Sequence, residues 1–148
     1  MLSRLPAFAN PEDDIYLKKS VELAERLLPA YASRSSIPYA SVHLRRKEGL
    51  QSHADGGASS IAEVGTLQLE MKYLSHLTGN DIYWREAEKV IKVLDDNAAK
   101  DGLLPIFVHP DTGEFTTSEI RLGSRGDSYY GIYFPAPQSN FFVPFHLY

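Results

Sequence analysis

Two apolar stripes, separated by a short stop signal, constrain this chain more than any other feature. Val64, Leu67, Met71 and Leu74 recur at helical spacing, and Tyr83, Ala87, Val90 and Leu94 repeat the pattern, with Trp84 and Ile91 widening its face. Ser60 and Glu63 form a capping box at the first start, each side chain satisfying an orphan backbone N–H. Gly79 is placed for a left-handed cap at the first end, and Asp81 to cap the second helix. Two long helices joined by so few residues must lie antiparallel, so a helical hairpin is expected.

The remaining chain is read around that hairpin. Leu17, Val21, Ala24, Leu28 and Tyr31 predict a helix from residue 12 to about 32, ended or kinked by Pro29. A polar loop should follow from Ser33 to Ser59, with Ile37-Pro38-Tyr39 and Val42-His43-Leu44 as an extended pair and a flexible end at His53 to Ala58. Leu104–Val108 and Glu114–Thr117 flank the type I turn sequence Pro110-Asp111-Thr112-Gly113, which predicts a small β-hairpin. Asp127 or Ser128 is placed to cap a fourth helix, which Gly131 and Pro135 should stop almost at once. From Gly131 to Tyr148 the eighteen residues carry no Lys, Arg, Asp or Glu, three prolines and six aromatics, and no periodic pattern survives.

A chain of 148 residues is one domain's worth, and a net charge of −4 argues against nucleic acid as a partner, because phosphates need clustered Lys and Arg. The one tight basic cluster, Arg45-Arg46-Lys47, is answered by Glu48 and reads as a solvated loop. With no cysteine, disulfides and thiolate metal sites are excluded. Met1 to Ala9 is too short and broken for a signal peptide, and no membrane segment of roughly 20 apolar residues is found. Read alone, the chain is expected to be cytosolic or an internal piece of something larger.

Glu63 and Asp127 are the carboxylates with chemical potential. Glu63 is accounted for by the capping box, or serves as a sugar-binding carboxylate. Asp127 sits beside Arg125 at a loop-to-helix junction, as an N-cap or as a site acid. His53 and Asp55 would make a poor metal pair in a glycine loop, and His43, His76, His109 and His146 share no metal spacing, so no metal ligand is assigned. Arg125-Gly126-Asp127 also spells an adhesion tripeptide, a weak signal here. Phosphate-loop, nucleophile-elbow and dinucleotide glycine patterns are missing from the sequence.

Several ordered motifs carry a family resemblance. Ile37-Pro38-Tyr39, the run His53 to Glu63, Leu67-Gln68-Leu69-Glu70, Tyr73 to Asn80 with Tyr83-Trp84, Asp101 to Ile106, and Ile120 to Tyr130 resemble the class I α-1,2-mannosidases of glycoside hydrolase family 47. The resemblance covers about residues 12 to 130 and looks closest to fungal members. It implies an all-α fold, part of an (αα)7 barrel of helical hairpins plus one small β-hairpin. It divides the chain into residues 1–130, a fragment of the catalytic domain, and 131–148, a divergent tail. The implied activity is inverting, Ca²⁺-dependent removal of terminal α-1,2-mannose from high-mannose N-glycans, in the secretory pathway or outside the cell.

By motif match, Asp127 falls on a catalytic carboxylate acting through water, Glu63 on a substrate-binding carboxylate, and Arg125 on a substrate-binding position that governs which branch is accepted. An inverting glycosidase needs two carboxyl groups about 6.5–9.5 Å apart with a water between them. Departures accompany the match. The family has a Glu where Gly131 stands, and its further acid, its base and its Ca²⁺-binding threonine have no counterpart in this chain. The isolated 148 residues are therefore expected to be inactive, with sticky apolar seams. A non-catalytic glycan-binding or protein-interaction module is the alternative.

Overall fold

In the computed structural model of the chain, residues 14–98 and 102–133 are described. The first helix, α1, spans Ile15–Leu27, shorter than the predicted 12–32. Pro29 has no N–H to continue the ladder, so the chain tightens into a 3-10 turn over Leu28–Tyr31. Ala24 and Tyr31 are buried, while Leu17, Val21 and Leu28 pack against the core half-buried. The positions before Asp14 lie outside the described residues.

The expected pairing of Ile37–Tyr39 with Val42–Leu44 does not form. Instead β1 (Ser41–His43) pairs antiparallel with β2 (Glu48–Leu50), Val42 opposite Gly49. Arg45, Arg46 and Lys47 are the exposed turn between them, closed by Lys47 N–H donating to the His43 carbonyl at 2.8 Å. Ile37 and Pro38 are spent on the core instead, both fully buried. The segment predicted to be flexible contains a 3-10 turn at Asp55–Gly57, with Gly57 and Ala58 buried. It leads into β3 (Ser59–Ser60).

The hairpin forms as the periodicity dictates. Its first helix, α2, spans Ile61–Thr78 and carries the complete capping box. Gly79 ends it at φ 69° with its N–H on the Ser75 carbonyl. Its partner α3 spans Ile82–Asp96, with Tyr83, Ala87, Val90 and Leu94 all buried. Asp81 stands at the N-cap position of α3 as expected, but its side chain makes no capping bond. The Asn80 Oδ1 accepts the Ile82 N–H at 3.2 Å, while Asp81 pairs with Arg85 on the surface. Across the hairpin, Lys72 of α2 reaches the Glu88 carboxylate and lies 4.7 Å from the Trp84 ring centroid.

Leu67 was expected in the buried stripe of α2, yet it is 36% exposed. The buried arc instead includes Gly65 and Gln68, because Gly65 lies under the Tyr129 ring. Packing against the last helix thus rotates the buried arc of α2. Leu69, Tyr73 and Leu77 are left as an exposed apolar stripe.

The predicted β-hairpin is present with a different centre of gravity. Its first arm, β4 (Phe107–Val108), pairs antiparallel with β3, Ser59 opposite Val108 and Ser60 opposite Phe107. The second arm contributes a single bridge, Val108 to Phe115, with the Thr116 N–H donating to the Phe107 carbonyl at 3.0 Å and the His109 N–H to the Glu114 carbonyl at 2.9 Å. The turn closes over five residues rather than four, the Gly113 N–H donating to the His109 carbonyl at 2.8 Å, with Gly113 at φ 74°. It docks on the earlier loop, where Tyr39 and Gln51 donate to the two oxygens of Asp111 at 2.8 and 2.7 Å. Accepting that bond from Tyr39, Asp111 holds the phenol's proton and raises its pKa.

The last helix, α4, spans Asp127–Tyr133 and passes through Gly131, which was expected to stop it. Pro135, the other expected stop, lies outside the described residues. Tyr129 and Tyr130 are both buried, and the Tyr130 hydroxyl donates to the Leu104 carbonyl at 3.1 Å and accepts the Leu104 N–H at 2.9 Å. Burial, with a smaller push from the Asp95 charge, raises the Tyr129 phenol to about 12. The described fold is mostly helical, in keeping with the all-α expectation, with two small antiparallel ladders.

Candidate functional site

The starts of α2 and α4 lie side by side, joined by a bond from the Ala62 N–H to the Arg125 carbonyl at 3.0 Å. A second bond, from the Ile61 N–H to the Ile106 carbonyl at 3.0 Å, fixes the same helix start to the segment leading into β4. These are orphan N–H groups of the first turn of α2, satisfied by chain far away in sequence. The result is a corner where Glu63, Phe107, Arg125 and Asp127 come from three separate segments.

Glu63 serves the helix and faces outward at once. Its Oε2 accepts the Ser60 N–H at 3.1 Å and the Ser60 hydroxyl at 2.8 Å. Its Oε1 lies 3.7 Å from Arg125 Nη1, a loose pair with both side chains about half exposed. Such a pair adds at most about 1 kcal/mol to stability. Both readings of Glu63 are therefore compatible with one geometry: the carboxylate is a cap, and its second oxygen is available.

Arg125 occupies the left-handed region at φ 76°, unusual for a residue with a Cβ. Its guanidinium lies 5.7 Å from the Phe107 ring centroid. Gly126, buried beside it, has no room for a Cβ, which would strike the Arg121 carbonyl oxygen. Asp127 is exposed and is the first residue of α4, not its N-cap. Its Oδ1 accepts the Ser128 N–H at 2.9 Å, a position where the helix dipole favours negative charge.

The structure brings Glu63 and Arg125 together, and puts Asp127 two residues beyond Arg125 at the adjoining helix start. Phe107 was overlooked as a site residue, since its pairing with Ser60 is a tertiary event that no local spacing announces. His53 and Asp55 are exposed, and among the described residues no three His, Cys, Asp or Glu side chains converge as metal ligands. These described segments thus gather no carboxylate-rich donor set of the kind Ca²⁺ often takes. No helix among the described residues is long and apolar enough to cross a membrane.

A largely helical architecture with a carboxylate–guanidinium pair and an exposed carboxylate at adjoining helix starts presents groups that can hydrogen-bond a polyol or sugar. The sequence profile of glycosyl hydrolase family 47 matches residues 2–135, and the chain belongs to that family. Among its relatives is a mannosyl-oligosaccharide 1,2-alpha-mannosidase of Candida albicans, 56% identical over 126 residues, which are 85% of this chain and 22% of the relative. The endoplasmic reticulum mannosyl-oligosaccharide 1,2-alpha-mannosidase of Saccharomyces cerevisiae is 50% identical over 121 residues, 78% of this chain and 22% of that one. A Schizosaccharomyces pombe protein of the same name is 41% identical over 128 residues, 85% of this chain and 24% of the relative. The chain thus spans about a fifth of the length of these relatives.

Proposed function

We propose that this chain supplies one corner of the catalytic domain of an inverting α-1,2-mannosidase acting on high-mannose N-glycans in the secretory pathway. Its helical hairpins are segments of an (αα)7 barrel. Residues 1–130 are the family portion and 131–148 a divergent tail. Glu63 and Arg125 bind mannose hydroxyls, one accepting and one donating, and Asp127 is the catalytic carboxylate that acts through a water. The observation that carries this reading is the Glu63–Arg125 pair at 3.7 Å, with Asp127 at the neighbouring helix start.

The same geometry supports unequal roles for the two carboxylates. Inversion needs an acid and a base about 6.5–9.5 Å apart, with a water between them. Glu63 already accepts two hydrogen bonds and faces a guanidinium, so its oxygens are committed to fixed partners and it suits binding better than proton transfer. Asp127, exposed at the start of α4, is the freer group. Gly131 brings no carboxylate one turn further along α4, so an acid–base pair is not completed on that helix. Ca²⁺ belongs to the parent enzyme on this reading, and no step here runs through it.

The expected behaviour of the 148-residue chain is weak binding of α-1,2-mannobiose without cleavage. Titration followed by ¹H–¹⁵N spectra should shift residues 60–63, 107 and 125–127, and Arg125→Ala should abolish those shifts. Release of mannose, or binding indifferent to Arg125→Ala, overturns the reading.

A further inference from the structure

Each residue of one strand pair holds one member of the ion pair. Ser60 stands opposite Phe107 in the β3–β4 ladder. Ser60 grips Glu63 through its backbone N–H and its hydroxyl, both on Oε2. Phe107 offers its ring to Arg125 at 5.7 Å. Resting on the reading that Glu63 and Arg125 bind mannose, we infer that Phe107 is a positioning residue for sugar recognition, acting through the Arg125 guanidinium.

Alternation along β4 separates the two jobs of the strand. Val108 is fully buried and belongs to the core, so its neighbour Phe107 projects to the opposite face. Phe107 is only half-buried, and the cation lies over its ring. Arg125 needs such a brace. Its side chain is 45% exposed, and among the described residues its one charged partner is Glu63 at 3.7 Å, longer than a hydrogen bond. A guanidinium on a long, unbraced stem would sample many rotamers before meeting a sugar. Held against a ring, it keeps its outward N–H donors aimed at acceptor hydroxyls.

Backbone geometry adds an independent argument. Position 125 sits at φ 76°, where glycine would be relaxed and arginine is strained. The chain carries that strain at a place where the guanidinium, not the backbone, is what an arginine adds. A ring directly across from that guanidinium then sets which orientation the strained residue presents.

The test uses the whole 148-residue chain with Phe107→Leu, Phe107→Tyr and Arg125→Ala. Two quantities are read: ¹⁵N relaxation of the Arg125 Nε–H, and the Kd for α-1,2-mannobiose. Phe107→Leu should mobilise the Arg125 Nε–H and weaken binding about two- to fivefold. Phe107→Tyr, which keeps the ring face, should restore both. If Phe107→Leu melts early, Phe107→Met, close in volume and lacking a ring, takes its place. Unchanged Arg125 dynamics in the ringless variant overturn the inference. So does an unchanged Kd where Arg125→Ala still abolishes binding, and that outcome leaves the mannose reading intact. Should no form bind mannobiose while Phe107→Leu still mobilises Arg125, the positioning role stands and the mannose reading falls.

Discussion

The α2–α3 hairpin and the corner between α2, β4 and α4 are held together by different physics. Repetition builds the hairpin: seven positions are buried along α2 and four along α3, and Gly79 turns the chain between the helices. No single contact decides its geometry. At the corner, single atoms decide. Gly65 admits the Tyr129 ring, Gly126 admits the Arg121 carbonyl, and Arg125 accepts a left-handed backbone. Ala62 and Ile61 are tied by their N–H groups to chain more than forty residues away. The periodic region sets where the helices run, and the atom-by-atom region sets where the candidate site residues sit.

Three substitutions probe this contrast. Leu94→Ala, at a fully buried hairpin position, should cost the most, about 2–5 kcal/mol in chemical denaturation. It should leave the Arg125 and Asp127 resonances of the surviving folded state in place. If those resonances move as far as residues beside position 94, the two regions are one cooperative unit. Gly126→Ala should cost about 1–3 kcal/mol, as other forced contacts do. Here the Arg125 and Asp127 signals should move, while the α3 signals stay. A neutral Gly126→Ala would break the claim that single atoms decide the corner. Smallest in stability is Arg125→Gly, within about 0.5 kcal/mol of the parent, because relief of strain offsets the looser unfolded chain. It should nevertheless abolish mannobiose binding, and a drop in melting temperature comparable to Gly126→Ala would mean that Arg125 is structural.

What the sequence disclosed follows the same division. The capping box, the Gly79 cap and the α3 stripe were all legible, since each is written within one turn or one helix. Leu67 was misplaced because the buried arc of α2 is set jointly by α3 and by Tyr129, sixty residues away. The polar loop hid a β1–β2 pair whose register depends on the Lys47 turn at φ 52°, not on alternating apolar residues. Asp81 holds the N-cap position of α3 but leaves the capping bond to Asn80, and Asp127 begins α4 instead of preceding it. Glu63 and Arg125 were singled out as candidates by their motifs, whereas Phe107 entered only through the β3–β4 pairing. Two-residue strands leave no periodicity to read.

One consequence of the Glu63 geometry reaches into how such a chain would age under mutation. Because a single carboxylate both starts α2 and faces Arg125, drift cannot remove this proposed sugar ligand without also loosening a long helix. Asp127 has no such insurance: it is exposed, and its loss forfeits one bond to its neighbour's N–H. A lineage released from selection for activity would therefore shed Asp127 early and carry Glu63 far longer. With the roles proposed above, an intact Glu63 among decayed copies would testify to folding, and an intact Asp127 to use.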